Sequence, residues 1–228
     1  MGNVIRQVKA ISEVLEMFQQ KQERYVPNND SIFTVFYYIK PRDIKVVLIG
    51  QDPYVKLTCT GEPEAQGMSF SLPLHHTINP SLKNIYKELS EDVELTPQFN
   101  IPDHGCLIEW VKRGVLLLNV HQTTVLEKPK GHSNYGFWNQ FTVPLLENLV
   151  ANDSKLIFIL LGAEARGVKM YLKNKGTIIE AGHPSTKNIN GGFLGSKVFS
   201  KCNSELIKQG HEPIDWNISS KEIVRNLL

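Results

Sequence analysis

Along the first part of the chain the apolar positions Val4, Ile5, Val8, Ile11, Val14, Leu15 and Phe18 recur with the three-to-four spacing of an amphipathic helix. Ile32, Phe33, Phe36 and Tyr37 repeat that spacing, and the Pro-Asn-Asn-Asp stretch at 27–30 separates the two helices. Then the pattern changes. Four short, mostly apolar runs, Val46–Ile49, Val115–Leu118, Leu156–Leu161 and Thr177–Glu180, have the character of buried strands. Between them helical spacing returns: Leu82, Ile85, Tyr86 and Leu89 follow Pro80-Ser81, and Leu107, Trp110 and Val111 precede Gly114. Residues 137–149 and 163–172 supply two more helices, and 193–207 closes the order. This alternation predicts an α/β fold with a central four-stranded, mostly parallel sheet flanked by helices. One domain spans 1–228, with the helices of 1–43 packing on it; no repeat or linker interrupts it.

In an open parallel sheet the ligand crevice lies beyond the carboxyl ends of the strands. Each predicted strand here ends in an unusual segment. The first runs into Gly50-Gln51-Asp52-Pro53-Tyr54, the second into Asn119, the third into Gly162-Ala163 and the fourth into Gly182-His183-Pro184-Ser185. Asp52, Asn119 and His183 are therefore expected on one rim. Singly, Asp52 suits a turn, Asn119 a turn and His183 a core position. Both Asp52 and His183, however, are followed by a proline, whose fixed φ stiffens the loop and aims the side chain before it. Asn119 carries a donor and an acceptor suited to a base edge. Phe70, in the loop-like stretch Gly67-Met68-Ser69-Phe70-Ser71, is either core or a ring that stacks on a ligand.

Composition narrows the classes. The 228 residues are 41% hydrophobic and 21% charged, enough for one core. A formal net charge of +2 is too mild to mark a nucleic-acid binder by itself. Between 183 and 208, Lys187, Lys197, Lys201 and Lys208 stand against Glu205 among small residues, a composition that suits a phosphate backbone as well as a solvated face. No GxxxxGK[ST] sequence is present. Cysteines at 59, 106 and 202 match neither a disulfide framework nor a CxxC metal site, and suggest reduced thiols. Arg6, Lys9, Glu13 and Glu16 interrupt the first apolar stretch, unlike a signal peptide. The longest apolar run, 156–163, is too short to span a bilayer. These features predict an intracellular protein, neither secreted nor in a membrane.

Seven segments together resemble the GQDPY-type, or family 1, uracil-DNA glycosylases. They are GQDPY at 50–54, GMSFS at 67–71, PSLKNIYKEL at 80–89, GVLLLN at 114–119, HPS at 183–185, GGFLGSKVFSKCN at 191–203 and PIDW at 213–216. The resemblance implies a monofunctional enzyme without lyase activity. It would flip uracil from single- or double-stranded DNA and hydrolyse the N-glycosidic bond, leaving an abasic site. By carry-over Asn119 pairs with the uracil edge, Phe70 stacks on it, Tyr54 blocks a C5 methyl and the Gln51 backbone completes the polar contacts. Asp52 opposes the positive charge developing on the sugar and positions water, while neutral His183 donates a hydrogen bond to the uracil O2 as the anion forms. Pro80, Ser81, Gly162, Ala163 and Ser185 grip the DNA backbone. No metal or cofactor is implied. A monomer is expected, in the cytoplasm or nucleus, and a DNA-mimicking inhibitor protein is a plausible partner.

The chain departs from the family pattern at four places. Val55 follows Tyr54 where a His is usual, and a longer link, VKLTCTGEPEAQ, leads to the Phe70 segment. Lys187 falls where a Leu normally wedges into the DNA stack, with Ile189 nearby as the apolar substitute. Ala163 replaces a serine. These departures keep two alternatives open: a DNA-binding or replication scaffold on the same fold with weak or no activity, and a glycosylase of altered base specificity.

Overall fold

The computed structural model describes residues 12, 13, 15–18, 20, 23–185 and 191–228. Its centre is a four-stranded sheet in the order β3-β2-β5-β6, formed by β2 (Val46–Gly50), β3 (Val115–Asn119), β5 (Ile157–Leu161) and β6 (Thr177–Ala181). All three pairings are parallel, with Leu48 opposite both Leu117 and Ile159, and Ile159 opposite Ile179. Every residue of β2, β3 and β5 is buried, which is why these runs show no alternation: helices cover both faces and leave no polar side. Only edge strand β6 exposes a side chain, Glu180.

Parallel pairing sends all four strand ends to the same rim. Register then fixes the order of the segments along it, because Gly50 lies opposite Asn119 and Leu161 opposite Ala181. The backbone continues this pairing past the strands: Val120 donates to the Gly50 carbonyl at 3.0 Å and His121 to that of Gln51 at 3.1 Å.

Among the described residues after Val26 the α-helices are α1 (Val35–Tyr38), α2 (Pro80–Glu91), α3 (Ile108–Lys112), α4 (Asn139–Asn152), α5 (Ala163–Gly167), α6 (Val198–Lys208) and α7 (Lys221–Arg225). Helix α2 starts where chemistry favours it. Pro80 occupies the first turn, where its missing N–H costs nothing, and the Asn79 side chain accepts from the Leu82 N–H at 3.1 Å. The helix buries Leu82, Ile85, Tyr86 and Leu89 together with one carboxylate, Glu88. That carboxylate accepts backbone N–H groups from Gly195 at 2.5 Å and Lys197 at 2.6 Å, so α2 holds the turn that begins α6.

One expectation changes, and two elements appear that the sequence pattern did not announce. The helix anticipated over 193–207 begins only at Val198, after a turn in which Gly195 adopts φ 75° and Lys197 φ 55°. It does not close the order, since α7 follows. The link after Tyr54 is a small hairpin: Leu57 bridges Pro63, Thr58 N–H donates to Glu62 O at 2.6 Å and Glu64 N–H to Lys56 O at 2.9 Å. A two-stranded antiparallel ribbon of β1 (Tyr25–Val26) and β4 (Thr124–Val125) also ties the early chain to the segment after β3. Of the N-terminal helix, Val4, Ile5, Val8, Ile11 and Val14 lie outside the described residues. Helical backbone at 15–18 buries Leu15 and Phe18 against Phe137 and Trp138. No helix among the described residues is long and apolar enough to cross a membrane.

Candidate active site

At the strand rim lies a cavity of about 300 Å³ whose wall includes Asp52, Tyr54, Phe70, Asn119, His183 and Ser185. Its size is at the small end for ligand sites. A larger concavity of about 810 Å³ lies away from the strand ends, between residues 23–29 and the 57–63 hairpin. The chemistry-bearing side chains gather in the smaller one.

Asp52 leaves β2 two residues past its end. One carboxylate oxygen accepts from the Ser133 hydroxyl at 2.9 Å and the other from Gln51 Nε2 at 2.7 Å, leaving further lone pairs free to orient a water molecule. Burial pushes its carboxyl above the usual range, against the pull of the Ser133 bond, the nearby His121, the Gln51 bond and Lys130.

His183 follows β6. The Ser185 N–H donates to its Nδ1 at 3.0 Å, so in the neutral ring the proton sits on Nε2, where it is available to a ligand. Burial, aided by the positive charge of Lys130, holds its pKa below the usual value. The loop is fixed from the other side by Asn84, whose Nδ2 donates to Pro184 O at 2.7 Å. Behind the ring stands Gly162 at φ 97°; a Cβ there would approach the His183 Cβ to 3.0 Å.

Phe70 adopts φ 63°, a strained backbone for a bulky residue that costs about 1–3 kcal/mol. The Tyr54 hydroxyl donates to its carbonyl at 3.0 Å and holds it there. Burial pushes the Tyr54 phenol well above its ordinary pKa, keeping it a donor. The Phe70 ring lies 6.1 Å from that of His183, and a Cβ at Gly50 would meet its edge at 3.1 Å and Asn119 Oδ1 at 2.8 Å. Glycine at the end of β2 thus lets the aromatic ring and the amide approach each other. Asn119 is itself buried, its carbonyl accepting from Gln122 Nε2 at 2.5 Å.

The remaining sequence-predicted residues are placed less uniformly. Ser81 lines the cavity, while Pro80 starts α2 beside it. Gln51 directs its side chain to Asp52, and its carbonyl is taken by His121 N–H. Gly162 and Ala163 form the junction of β5 with α5, and Gly162 stands against His183. Lys187 and Ile189 lie outside the described residues. Sequence reasoning missed Ser133, which reaches Asp52 across 81 positions of chain, and Gln66, Met68 and Pro129, which line the wall together with Val55, one of the departures from the family pattern. No cluster of three or more His, Cys, Asp or Glu among the described residues is arranged to hold a metal ion.

Residues 36–207 match the model of the uracil DNA glycosylase superfamily. The chain belongs to that superfamily. Two uracil-DNA glycosylases of Francisella tularensis illustrate the relationship. That of subsp. tularensis (strain WY96-3418) is 36% identical over 211 residues, 92% of each chain. That of subsp. novicida (strain U112) is 38% identical over 193 residues, 84% of each. The crystal structure of mimivirus uracil-DNA glycosylase superposes with a TM-score of 0.84 at 29% identity, covering 96% of this chain and 87% of that one. A mimivirus Y322L variant in complex with UGI gives the same TM-score and covers 89% of that chain. Within this uracil-DNA glycosylase fold, an acidic and a neutral imidazole group face one small pocket from the loops that follow β2 and β6.

Proposed function

We propose that the chain excises uracil from DNA as a repair enzyme, hydrolysing the N-glycosidic bond and releasing the free base. The observation that carries this reading is the hydrogen bond from Ser185 N–H to His183 Nδ1, which puts a proton on Nε2 in the same cavity as the Asp52 carboxylate. Cleavage builds positive charge on the sugar and negative charge on the departing base. Asp52 opposes the first and orients the attacking water. His183, kept neutral by burial, hydrogen-bonds the second, and a donor fixed in advance is worth most where water is excluded. The base would stack on Phe70 and pair with the Asn119 amide, helped by the Gln51 backbone, while Tyr54 would collide with a methyl at C5. Protein groups and water suffice for these steps.

On this reading the chain is of the GQDPY type and acts without a lyase step. Pro80, Ser81, Gly162, Ala163 and Ser185 grip phosphates, contacts that position the strand without reading its sequence. Lys187 and Ile189 share the wedge role. Residues 1–228 work as one intracellular, monomeric domain, on single- or double-stranded DNA, with 1–43 packed against the rest. The inhibitor complex formed by the mimivirus relative favours a similar DNA-mimicking partner here. Val55 in the cavity wall favours altered base specificity as the second reading.

The test uses purified protein with labelled oligonucleotides carrying one U, T or 5-hydroxymethyl-U, followed by alkaline cleavage. Strand breaks confined to U support the proposal. Breaks at the other bases favour the second reading, and DNA binding without breaks overturns both.

A further inference from the structure

The carboxylate at the centre of the proposed reaction is held by a residue that lies in none of the seven family-like segments. Ser133 opens the 3-10 turn Ser133–Tyr135, and its Oγ lies 2.9 Å from Asp52 Oδ1. An ionised carboxylate only accepts, so the hydroxyl donates. Among the described residues the second side-chain donor is Gln51 Nε2, at 2.7 Å from Oδ2. One donor on each oxygen fixes the plane of the group. Gln51 shares a loop with Asp52 and moves with it, whereas Ser133 comes from 81 positions along the chain and ties the carboxylate to the rest of the molecule.

The turn that carries Ser133 is itself braced. Gly131 N–H donates to Lys128 O and to Thr124 Oγ1, each at 3.1 Å, and Ser133 N–H donates to Lys130 O at 3.2 Å. Next to Ser133 the His132 ring is fully buried, its Nδ1 lying 2.8 Å from Thr123 Oγ1, which also accepts from Trp138 Nε1 at 2.8 Å. Phe18 stacks on that ring with 4.5 Å between centroids. Packing from the start of the chain therefore reaches, through His132, the turn that presents the hydroxyl.

We infer that Ser133 is a positioning residue whose hydroxyl holds the Asp52 carboxylate in the orientation from which it opposes sugar charge and directs water. A hydrogen bond to the ionised form also favours that form against the burial that opposes it. His121 and Lys130 face Asp52 as well, Lys130 being engaged by Glu164 at 2.9 Å, and neither makes a hydrogen bond to the carboxylate. Ser133 makes and breaks no bond to substrate.

The inference rests on the glycosylase reading for its kinetic consequence, but the support of Asp52 can be observed without turnover. In protein with 13C-labelled aspartate, the Asp52 carboxyl, assigned by the signal lost in Asp52→Asn, is titrated in the parent chain and in Ser133→Ala. Loss of the hydroxyl is expected to raise the Asp52 pKa by about one unit; an unchanged value overturns the inference, whether or not the chain excises uracil. The second arm follows single-turnover excision against pH. Ser133→Ala is expected to lower the rate constant about tenfold, with the DNA dissociation constant within about twofold, and to move the acid limb about one unit upward. Ser133→Thr, which keeps the hydroxyl, is expected to stay within a few fold of the parent. A drop of equal size at every pH with the acid limb in place assigns Ser133 a packing role only and overturns the inference. If Ser133→Ala does not fold, Ser133→Cys, which keeps the shape but donates weakly, supplies both arms.

Discussion

In the proposed mechanism Asp52 and His183 divide the work of bond cleavage by charge, and each predicts its own loss. Asp52→Asn keeps the shape and the hydrogen bond from Ser133 but removes the negative charge; His183→Leu removes the Nε2 donor. Each is expected to lower kcat about a hundredfold or more with little change in DNA binding, measured by single-turnover excision beside fluorescence anisotropy. Equal rates for either variant and the parent would remove that residue from the mechanism. Tyr54 makes a different prediction, because the role proposed for it is exclusion. Tyr54→Ala should narrow the preference for U over T by about 10–200-fold, the range one methyl group commands in a tight pocket. Because its hydroxyl also holds Phe70 O, Tyr54→Phe should weaken uracil binding without admitting thymine.

At the scale of elements, β2, β3 and β5 were legible because burial on both faces leaves an unmistakable apolar run. The short elements were not. A two-residue ribbon such as β1–β4 has no periodicity to detect, and the hairpin at 57–63 turns on single residues, Gly61 at φ 85° and the Thr58 hydroxyl that accepts Glu62 N–H at 3.2 Å, rather than on a repeating pattern. The grouping of Asp52, Asn119 and His183 on one rim followed from parallel strands ending together. Ser133 could not be found that way, since it reaches Asp52 from a 3-10 turn far along the chain and no local pattern marks it. Helix α2 allows a direct test of a local rule. Asn79→Ala removes the acceptor for Leu82 N–H and is expected to cost about 1 kcal/mol, read from the urea midpoint. Since α2 also carries Asn84, which anchors the His183 loop, the same variant should lower excision slightly more than it lowers stability alone would require.

For the whole molecule, the buried histidines link folding to pH. His132 is enclosed by Phe18, Tyr135 and Phe137, and burial lowers its pKa from 6.5 to about 4. Above pH 6.5 neither the folded nor the unfolded chain protonates this ring, so it makes no pH-dependent contribution. Between 6.5 and 4 the unfolded chain takes up a proton that the folded one refuses, and stability falls as pH falls through that window. Thermal melts at pH 7, 5.5 and 4.5 should show a declining midpoint for the parent and a flatter profile for His132→Asn. A parent profile as flat as the variant's would mean that His132 accepts its proton in the fold.

Gly50 carries a consequence for how this site can vary. An added Cβ would lie 2.8 Å from Asn119 Oδ1 and 3.1 Å from two atoms of the Phe70 ring, so both of these site groups would have to shift to admit it. A library of all residues at position 50, selected for uracil repair in living cells, should return glycine alone, whereas nearby exposed positions tolerate many replacements. The pocket is thus set in part by an atom that is missing, and the smallest residue in the site is the one least open to change.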